Sequence, residues 1–361
     1  MPRVLHVFGL MNRGGAELRT IDLMREEALS DHEFHFATLG AGSGTLDSTI
    51  RELGGEVRPC ELGKTFSRRF RQLLRTGGYD VVHSHVHLFS GYILRLAKKE
   101  GVRTRIAHLW TTGDGHASTP WRLLQRRIMT RWVEKYATTI LANGEGAMSS
   151  WRPDWQKDPR CRVIYNGFRP GPVPSEAERS AVRSELGIPA DSAMILHVGL
   201  LSAWKNQERL LGIFECLTQH RTNIHLILVG RDGGALTRIK STIKRRGLED
   251  AVLLLGERAD VPRLMRASDA MVFPSTREGL PGAVLEACVA GLPVLASTVP
   301  GAEEIAAHVA GVKCISLSAA DVEWAEATLK ILTSPPPATS LCDTPFEMSV
   351  AAQAMRSAYV S

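Results

Sequence analysis

No stretch of the 361 residues approaches the roughly 18 consecutive apolar positions of a membrane-spanning helix. The apolar opening from Val4 to Met11 is interrupted by His6 and runs into Asn12-Arg13-Gly14-Gly15, with no small-residue cleavage site after a longer apolar region. A secretory leader is therefore not expected, and the chain reads as cytoplasmic. Cysteine is sparse: Cys60, Cys161, Cys216, Cys288, Cys314 and Cys342 are scattered without a C-x-x-C pair, which favours reduced packing residues over disulfides or a zinc site. No nucleic-acid-binding motif accompanies the basic residues, so nucleic acid is not an expected partner.

What is present is ordinary for a globular protein, with 44% hydrophobic and 23% charged residues. The length suits about two domains, each able to bury a core. Net charge is +6, unevenly spread: residues 1–170 hold 26 Lys and Arg against 17 Asp and Glu, and the remainder 18 against 21. The excess gathers at Arg68, Arg69, Arg71 and Arg75, at Lys98, Lys99, Arg103 and Arg105, and at Arg122, Arg126, Arg127 and Arg131. These clusters read either as solvated helix faces or as attraction to an anionic membrane or a phosphate-bearing acceptor.

Short apolar runs alternate with amphipathic stretches. In the first half they are Val4–Phe8, Glu33–Thr38, Val81–His83, Thr104–Leu109, Thr139–Leu141 and Val163–Tyr165. The rhythm restarts with Met194–Val198, His225–Val229, Val252–Leu255, Ala270–Phe273 and Val294–Ala296. This βα repeat predicts an α/β fold of two doubly wound, Rossmann-like domains with parallel sheets, facing across a cleft where the carboxyl ends of the strands bind ligand. The first domain is placed at residues 1–168, a Pro- and Gly-rich linker at 169–175 and the second domain at 176–340. Residues 341–361, beyond Pro335-Pro336-Pro337, hold a last helix.

The most informative stretch is Pro274-Ser275-Thr276-Arg277-Glu278-Gly279-Leu280-Pro281-Gly282-Ala283-Val284-Leu285-Glu286. Val272 and Phe273 end a buried strand, Gly279 and Gly282 permit close approach of a ligand to the backbone, and Pro281 suits the first helical position, which needs no N–H. The amides of Gly279, Leu280, Gly282 and Ala283 would then face an anion such as a diphosphate. Glu278 and Glu286 flank that anion and would accept hydrogen bonds from uncharged hydroxyls. By spacing alone the pair reads as ordinary acids at an exposed helix start favoured by the helix dipole, and it is the surrounding Pro-Ser, Glu-Gly-Leu-Pro and Leu-Glu-Ala context that reverses this.

The setting PS-x-x-EGLP-x-x-x-LEA resembles that of the retaining, two-domain GT-B glycosyltransferases of the GT4 type. The likeness spans nearly the whole chain: Arg3-Val4-Leu5-His6-Val7 with Met11-Asn12-Arg13-Gly14-Gly15-Ala16-Glu17, then Asp80-Val81-Val82-His83-Ser84-His85, His108, Val163-Ile164-Tyr165-Asn166-Gly167, a Gly199…Lys205-Asn206 loop and the Glu pair. The opening is most similar to exopolysaccharide-type members. The resemblance implies that the first domain binds an acceptor and the second a nucleoside-diphosphate sugar, with the terminal helix packing back on the first domain. The nucleotide sugar is then a substrate, and no cofactor is implied.

Roles follow the matched positions. Glu278 would contact a hydroxyl of the transferred sugar, Glu286 the ribose, and Lys205 the diphosphate, whose departure carries additional negative charge. Gly15 and Gly199 would lie close to the donor, and the Leu255-Gly256-Glu257-Arg258 segment near the base, with Arg258 a donor contact. His108 would touch the sugar near the reacting carbon, which makes Glu278, His108 and Lys205 the expected catalytic set. His85, Trp110, Asp114 and His116 are the expected acceptor contacts. His83, His85 and His87 alternate at a strand end and would share one face, yet three in-line neighbours are spread too far for one tetrahedral ion. The chain also lacks a D-x-D triplet, which favours metal-independent chemistry.

One departure stands out. Leu200 occupies the place of the usual arginine after the glycine, so another arginine, Arg258, Arg231 or Arg277, would have to supply the missing charge. The expected activity is transfer of a hexosyl or N-acetylhexosaminyl group, with a UDP-sugar favoured, to an acceptor hydroxyl in polysaccharide, glycolipid or natural-product synthesis, forming an α-linkage. The alternatives are a catalytically weak nucleotide-sugar-binding subunit, motivated by Leu200, and a GT-B nucleotide-sugar epimerase.

Overall fold

A computed structural model describes residues 1–110, 119–172, 175–334, 336 and 339–360. The chain divides into two compact units, Met1–Gly167 with Glu347–Ser361, and Phe168–Phe346. The linker residues read from the sequence thus group with the second unit, and the return to the first unit begins at Glu347 rather than at 341.

Unit 1 contains β1 (Arg3–Phe8), β2 (Glu33–Thr38), β3 (Glu56–Pro59), β4 (Val81–Ser84), β5 (Thr104–Leu109), β6 (Thr139–Ala142) and β7 (Cys161–Val163), in the order β3-β2-β1-β4-β5-β6-β7. Unit 2 contains β8 (Ala193–Val198), β9 (Ile224–Val229), β10 (Val252–Gly256), β11 (Ala270–Phe273), β12 (Val294–Ser297) and β13 (Val312–Ile315), in the order β10-β9-β8-β11-β12-β13. Among the described residues, every pairing between the strands of the two sheets is parallel. Central strands of such sheets are covered on both faces, which is why they are nearly continuous apolar runs such as Ala193-Met194-Ile195-Leu196.

Two strands are absent from the sequence reading, and both are edges. In β3, Glu-Val-Arg-Pro has no buried residue, and β13 exposes Lys313, so neither presents the apolar run of a central strand. The last strand of unit 1 lies at Cys161–Val163, two residues earlier than read. The pairing of β7 with β6 covers Cys161, Arg162 and Val163, while Ile164 and Phe168 are buried beyond the strand. The apolar signal there marked loop packing.

Side-chain alternation sorts the unit 1 core. Leu5, Val7, Val82, Ala107 and Leu109 point into one cluster. Val4, Phe8, Val81 and Ile106 point into the other, which is completed by Met355, Ala358 and Tyr359 of the C-terminal helix Met348–Val360. Arg356 of that helix forms an ion pair with Asp31 at 2.6 Å, holding it onto unit 1. The unit 2 core gathers on Trp324, Phe214 and the apolar faces of β8, β9 and β11. Among the described residues no helix is long and apolar enough to cross a membrane.

Candidate active site

In each sheet the strand order reverses at one place, between β1 and β4 and between β8 and β11. Loops leaving the carboxyl ends of such a pair turn to opposite sides and leave a crevice, the usual ligand position of doubly wound sheets. Gly15 and His85 follow β1 and β4 at the first of these places, and Lys205 and the segment Glu278–Ala283 follow β8 and β11 at the second.

In unit 2, the loop after β8 ends in a single turn, Ala203–Lys205, and Asn206 takes a left-handed conformation (φ 59°) before the helix Gln207–His220. The side-chain amide of Asn206 donates to the Pro274 carbonyl at 3.2 Å, and the Thr276 N–H donates to the Trp204 carbonyl at 2.8 Å. These two bonds tie the β8 loop to the β11 loop. As a result the Lys205 ammonium donates to Glu278 Oε1 at 2.7 Å and lies 4.6 Å from the centre of the Phe273 ring. Both side chains of the pair are about 15% exposed.

The helix of the β11 loop runs Gly282–Val289, with Pro281 in the capping position, one residue before the helical place expected for it. The Pro281 carbonyl accepts from the Val284 N–H at 3.0 Å. Among the described residues no acceptor faces the N–H groups of Gly279, Leu280, Gly282 and Ala283. Four donors and the helix dipole thus adjoin the Lys205–Glu278 pair, an arrangement suited to an anion flanked by a hydroxyl-bearing group. Glu286 sits half-buried inside the same helix.

Three glycines set this backbone. A Cβ at Gly301 would overlap the Gly279 carbonyl, and one at Gly230 (φ 153°) would overlap the Gly199 carbonyl. Gly199 lets the Lys205 stem lie against the backbone, its virtual Cβ being 3.2 Å from Lys205 Cε. Beneath the loop, His197 is fully buried and shares a 3.0 Å hydrogen bond with the Val272 carbonyl, while Gln207 Nε2 lies 3.3 Å from His197 Nε2 and 2.9 Å from the Leu200 carbonyl. Burial pushes the imidazole down to about 4, so it is a neutral strut. His197, Gln207 and Gly301 had no local signal in the sequence, because each acts through a partner distant along the chain.

The arginines proposed to replace the missing charge are placed otherwise. Arg258 is bound to Asp260 at 2.8 Å and Glu185 at 3.0 Å, Arg277 is exposed with its guanidinium 5.8 Å from the Trp204 ring centre, and Arg231 is exposed. Leu200 packs against Gly233, whose virtual Cβ lies 2.6 Å from Leu200 Cγ.

In unit 1, the helix Gly15–Met24 starts at an extended Gly14, and the Glu17 carboxylate folds back over that glycine, where a Cβ would collide with it. Burial pushes the Glu17 pKa up. Beside this loop the structure assembles histidines. His6 pairs in register with His83 across β1 and β4, His85 follows β4, and His108 stands on β5 with its ring 5.2 Å from that of His83. His87 does not join them: the strand ends at Ser84, and His87 enters a separate turn, His87–Phe89, with φ 49°. Its place in the cluster is taken by His6, so that ring nitrogens of His6, His83 and His85 lie within 4.8 Å of one another. Adjacent strands, rather than neighbours along one strand, bring the rings together.

His85 stacks on Phe8 at 4.1 Å and accepts from the Trp110 indole at 3.1 Å, and Trp110 in turn stacks on His108 at 4.3 Å. His85, His108 and Trp110 line a cavity of about 20 Å³, shared with Arg19, Asn166 and Tyr359. Asp114 and His116 lie outside the described residues.

Two parallel α/β units with ligand loops at both switch points define the GT-B class of architecture. Residues 13–170 match the family described as Glycosyltransferase Family 4, and residues 178–341 match Glycosyl transferases group 1. The chain is 32% identical over 342 residues to the putative glycosyltransferase EpsF of Bacillus subtilis (strain 168), covering 90% of this chain and 86% of that protein. It is 29% identical over 368 residues to the capsular polysaccharide biosynthesis glycosyltransferase CapH of Staphylococcus aureus, covering 100% and 99%. The crystal structure of Anabaena HepE in complex with UDP and glucose superimposes with a TM-score of 0.77 at 23% identity, over 99% of this chain and 95% of that one. The protein belongs to the family 4 glycosyltransferases.

Proposed function

We propose that this glycosyltransferase is a retaining enzyme that moves a hexosyl or N-acetylhexosaminyl group from a UDP-sugar to an acceptor hydroxyl, forming an α-linkage during assembly of a surface polysaccharide. The observation that carries the reading is the Lys205–Glu278 pair beside four unpartnered backbone donors. On binding, the diphosphate takes the lysine and the amides as partners, and Glu278 turns to a hydroxyl of the sugar. As the bond to the sugar breaks, charge grows on the leaving phosphate, where preorganised donors stabilise it most. The departing oxygen then receives the acceptor proton on the same face, while His108 contacts an oxygen of the sugar and Glu286 the ribose. This chemistry is proposed to be metal-independent. The names of CapH, a capsular polysaccharide protein, and of HepE, crystallised with UDP, support the acceptor class and the base.

The helix Pro120–Tyr136 supports peripheral contact with an anionic membrane and hence a lipid-linked acceptor. Trp121, Leu124 and Ile128, spaced along one stripe, are 74%, 48% and 38% exposed among Arg122, Arg126, Arg127 and Arg131.

A second reading has a specific observation behind it. Leu200 removes one cation, and Arg258 is already held by two carboxylates. A protein that binds nucleotide sugar tightly but turns over slowly, as a partner subunit, fits that loss. Incubation with a panel of nucleotide sugars and oligosaccharide or polyprenyl-diphosphate-sugar acceptors separates the two. Transfer with an α-configured product supports the first reading, and tight binding without turnover supports the second. An altered sugar nucleotide formed with no acceptor present would overturn both.

A further inference from the structure

Six buried or half-buried side chains of unit 1 form one continuous line of hydrogen bonds. Trp110 Nε1 lies 3.1 Å from His85 Nδ1, and His85 Nε2 lies 2.9 Å from His6 Nδ1. His6 Nε2 lies 3.4 Å from the Tyr359 hydroxyl, which lies 3.2 Å from His83 Nδ1. His83 Nε2 lies 3.1 Å from His108 Nδ1. His108 Nε2, at the end of the line, is buried with no partner among the described residues, and the residue is 2% exposed.

An indole nitrogen is a donor only, and a neutral imidazole has one donor and one acceptor. The direction of the whole line follows. Trp110 donates, so His85 accepts at Nδ1 and carries its proton at Nε2. His6 then accepts at Nδ1 and donates from Nε2 to the phenol oxygen, the Tyr359 O–H donates to His83 Nδ1, and His83 Nε2–H donates to His108 Nδ1. The last proton sits on His108 Nε2. Burial supports neutral rings throughout: it pushes His6 and His108 down to about 3, lowers His83 and His85 well below the usual range, and raises the Tyr359 phenol. An unpaired buried donor is costly, which leaves this proton open to a ligand acceptor.

We propose that the line Trp110–His85–His6–Tyr359–His83 locks His108 in its Nε2–H tautomer, so that His108 meets the carbohydrate ligand solely as a hydrogen-bond donor. Tyr359, delivered by the C-terminal helix, is the positioning residue at the centre of the lock. The carbohydrate contact rests on the function proposed above, whereas the tautomers do not. The ring nitrogens of His6, His83 and His85 are therefore engaged within the line, His6 with His85 and Tyr359, and His83 with Tyr359 and His108, rather than in a shared metal site.

The test is nitrogen NMR of the full chain labelled with ¹⁵N-histidine, at pH 7. The expected result is four neutral rings, His6, His83, His85 and His108, all protonated at Nε2. Replacement Tyr359→Phe keeps the ring and removes the donor to His83, so His83 and His108 are expected to gain Nδ1–H populations while His85 keeps its own. In the same variant kcat for sugar transfer is expected to fall about tenfold, with the donor KM changed less than threefold, a split that simple loss of folded protein does not produce. Should Tyr359→Phe fail to fold, Trp110→Phe frees the other end, and His85 is expected to gain Nδ1–H. A wild-type His108 that is charged or protonated at Nδ1 overturns the lock, as does Tyr359→Phe with an unchanged histidine spectrum. One equivalent of zinc retained by wild type and lost in His6→Ala overturns it as well. Full transferase activity in His108→Phe, with the tautomers as stated, would instead overturn the sugar contact.

Discussion

The Lys205 ammonium and the Glu278 carboxylate stand 2.7 Å apart although 73 residues separate them, each on a loop leaving one of the two strands that flank the switch point of the second sheet. Each neutralises the other. Under the proposed function a ligand would offer the lysine a phosphate and the glutamate a hydroxyl, which would make the pair a preformed exchange of partners.

Removing either end should separate chemistry from folding. Glu278→Gln and Lys205→Met preserve volume and are expected to lower kcat/KM about 100-fold or more, the range for losing one group that stabilises developing charge. Melting temperature in Glu278→Gln is expected to move by only a few degrees. Steady-state assays with UDP-sugars and thermal melts check both, and near wild-type turnover would refute the assignment.

Glycine positions near the pair should fall into two kinds. Gly301→Ala and Gly230→Ala force a Cβ onto a carbonyl oxygen and are expected to destabilise unit 2 by roughly 2–4 kcal/mol, measured by denaturant unfolding. Gly282→Ala meets nothing within 4 Å and starts a helix, so stability should be kept or raised. Nucleotide affinity in that variant should nonetheless fall, because the added methyl occupies the anion's approach. An unfolded Gly282→Ala protein would show that packing, and not ligand approach, requires the glycine.

Acid should unfold the protein through its buried histidines. Their folded pKa values are depressed below the unfolded value of about 6.5, to about 3 for His6 and His108 and about 4 for His197. The unfolded chain therefore binds more protons between these limits. Stability is full above about pH 6.5 and declines as pH falls toward 4, by about 1.4 kcal/mol per pH unit for each ring that must stay neutral. Urea midpoints between pH 7.5 and 4.5 measure the slope, and a flat profile would mean that these rings are protonated in the fold.

Membrane contact through the helix Pro120–Tyr136 should need both its apolar and its basic residues. Trp121→Ser with Leu124→Ser is expected to weaken sedimentation with vesicles of phosphatidylglycerol and phosphatidylcholine at least tenfold. Salt should weaken the wild type, since each basic residue near an anionic surface contributes about 1 kcal/mol. Equal binding to vesicles without anionic lipid would argue against this surface.

The amino-acid sequence alone determined the alternation of strands and helices, the two parallel sheets and the glycine-rich start of the helix Gly282–Val289, since each is written in neighbours a few residues apart. It also marked Lys205, Glu278 and His108 one at a time. It missed β3 and β13, whose edge positions remove the apolar signature, and it placed His87 where His6 belongs. Only the tertiary structure decided the pairings: Lys205 with Glu278, His83 with Tyr359 across 276 residues, and Gly301 against Gly279. The order of strands in a sheet sets which loops meet, and that order is a property of the packed whole.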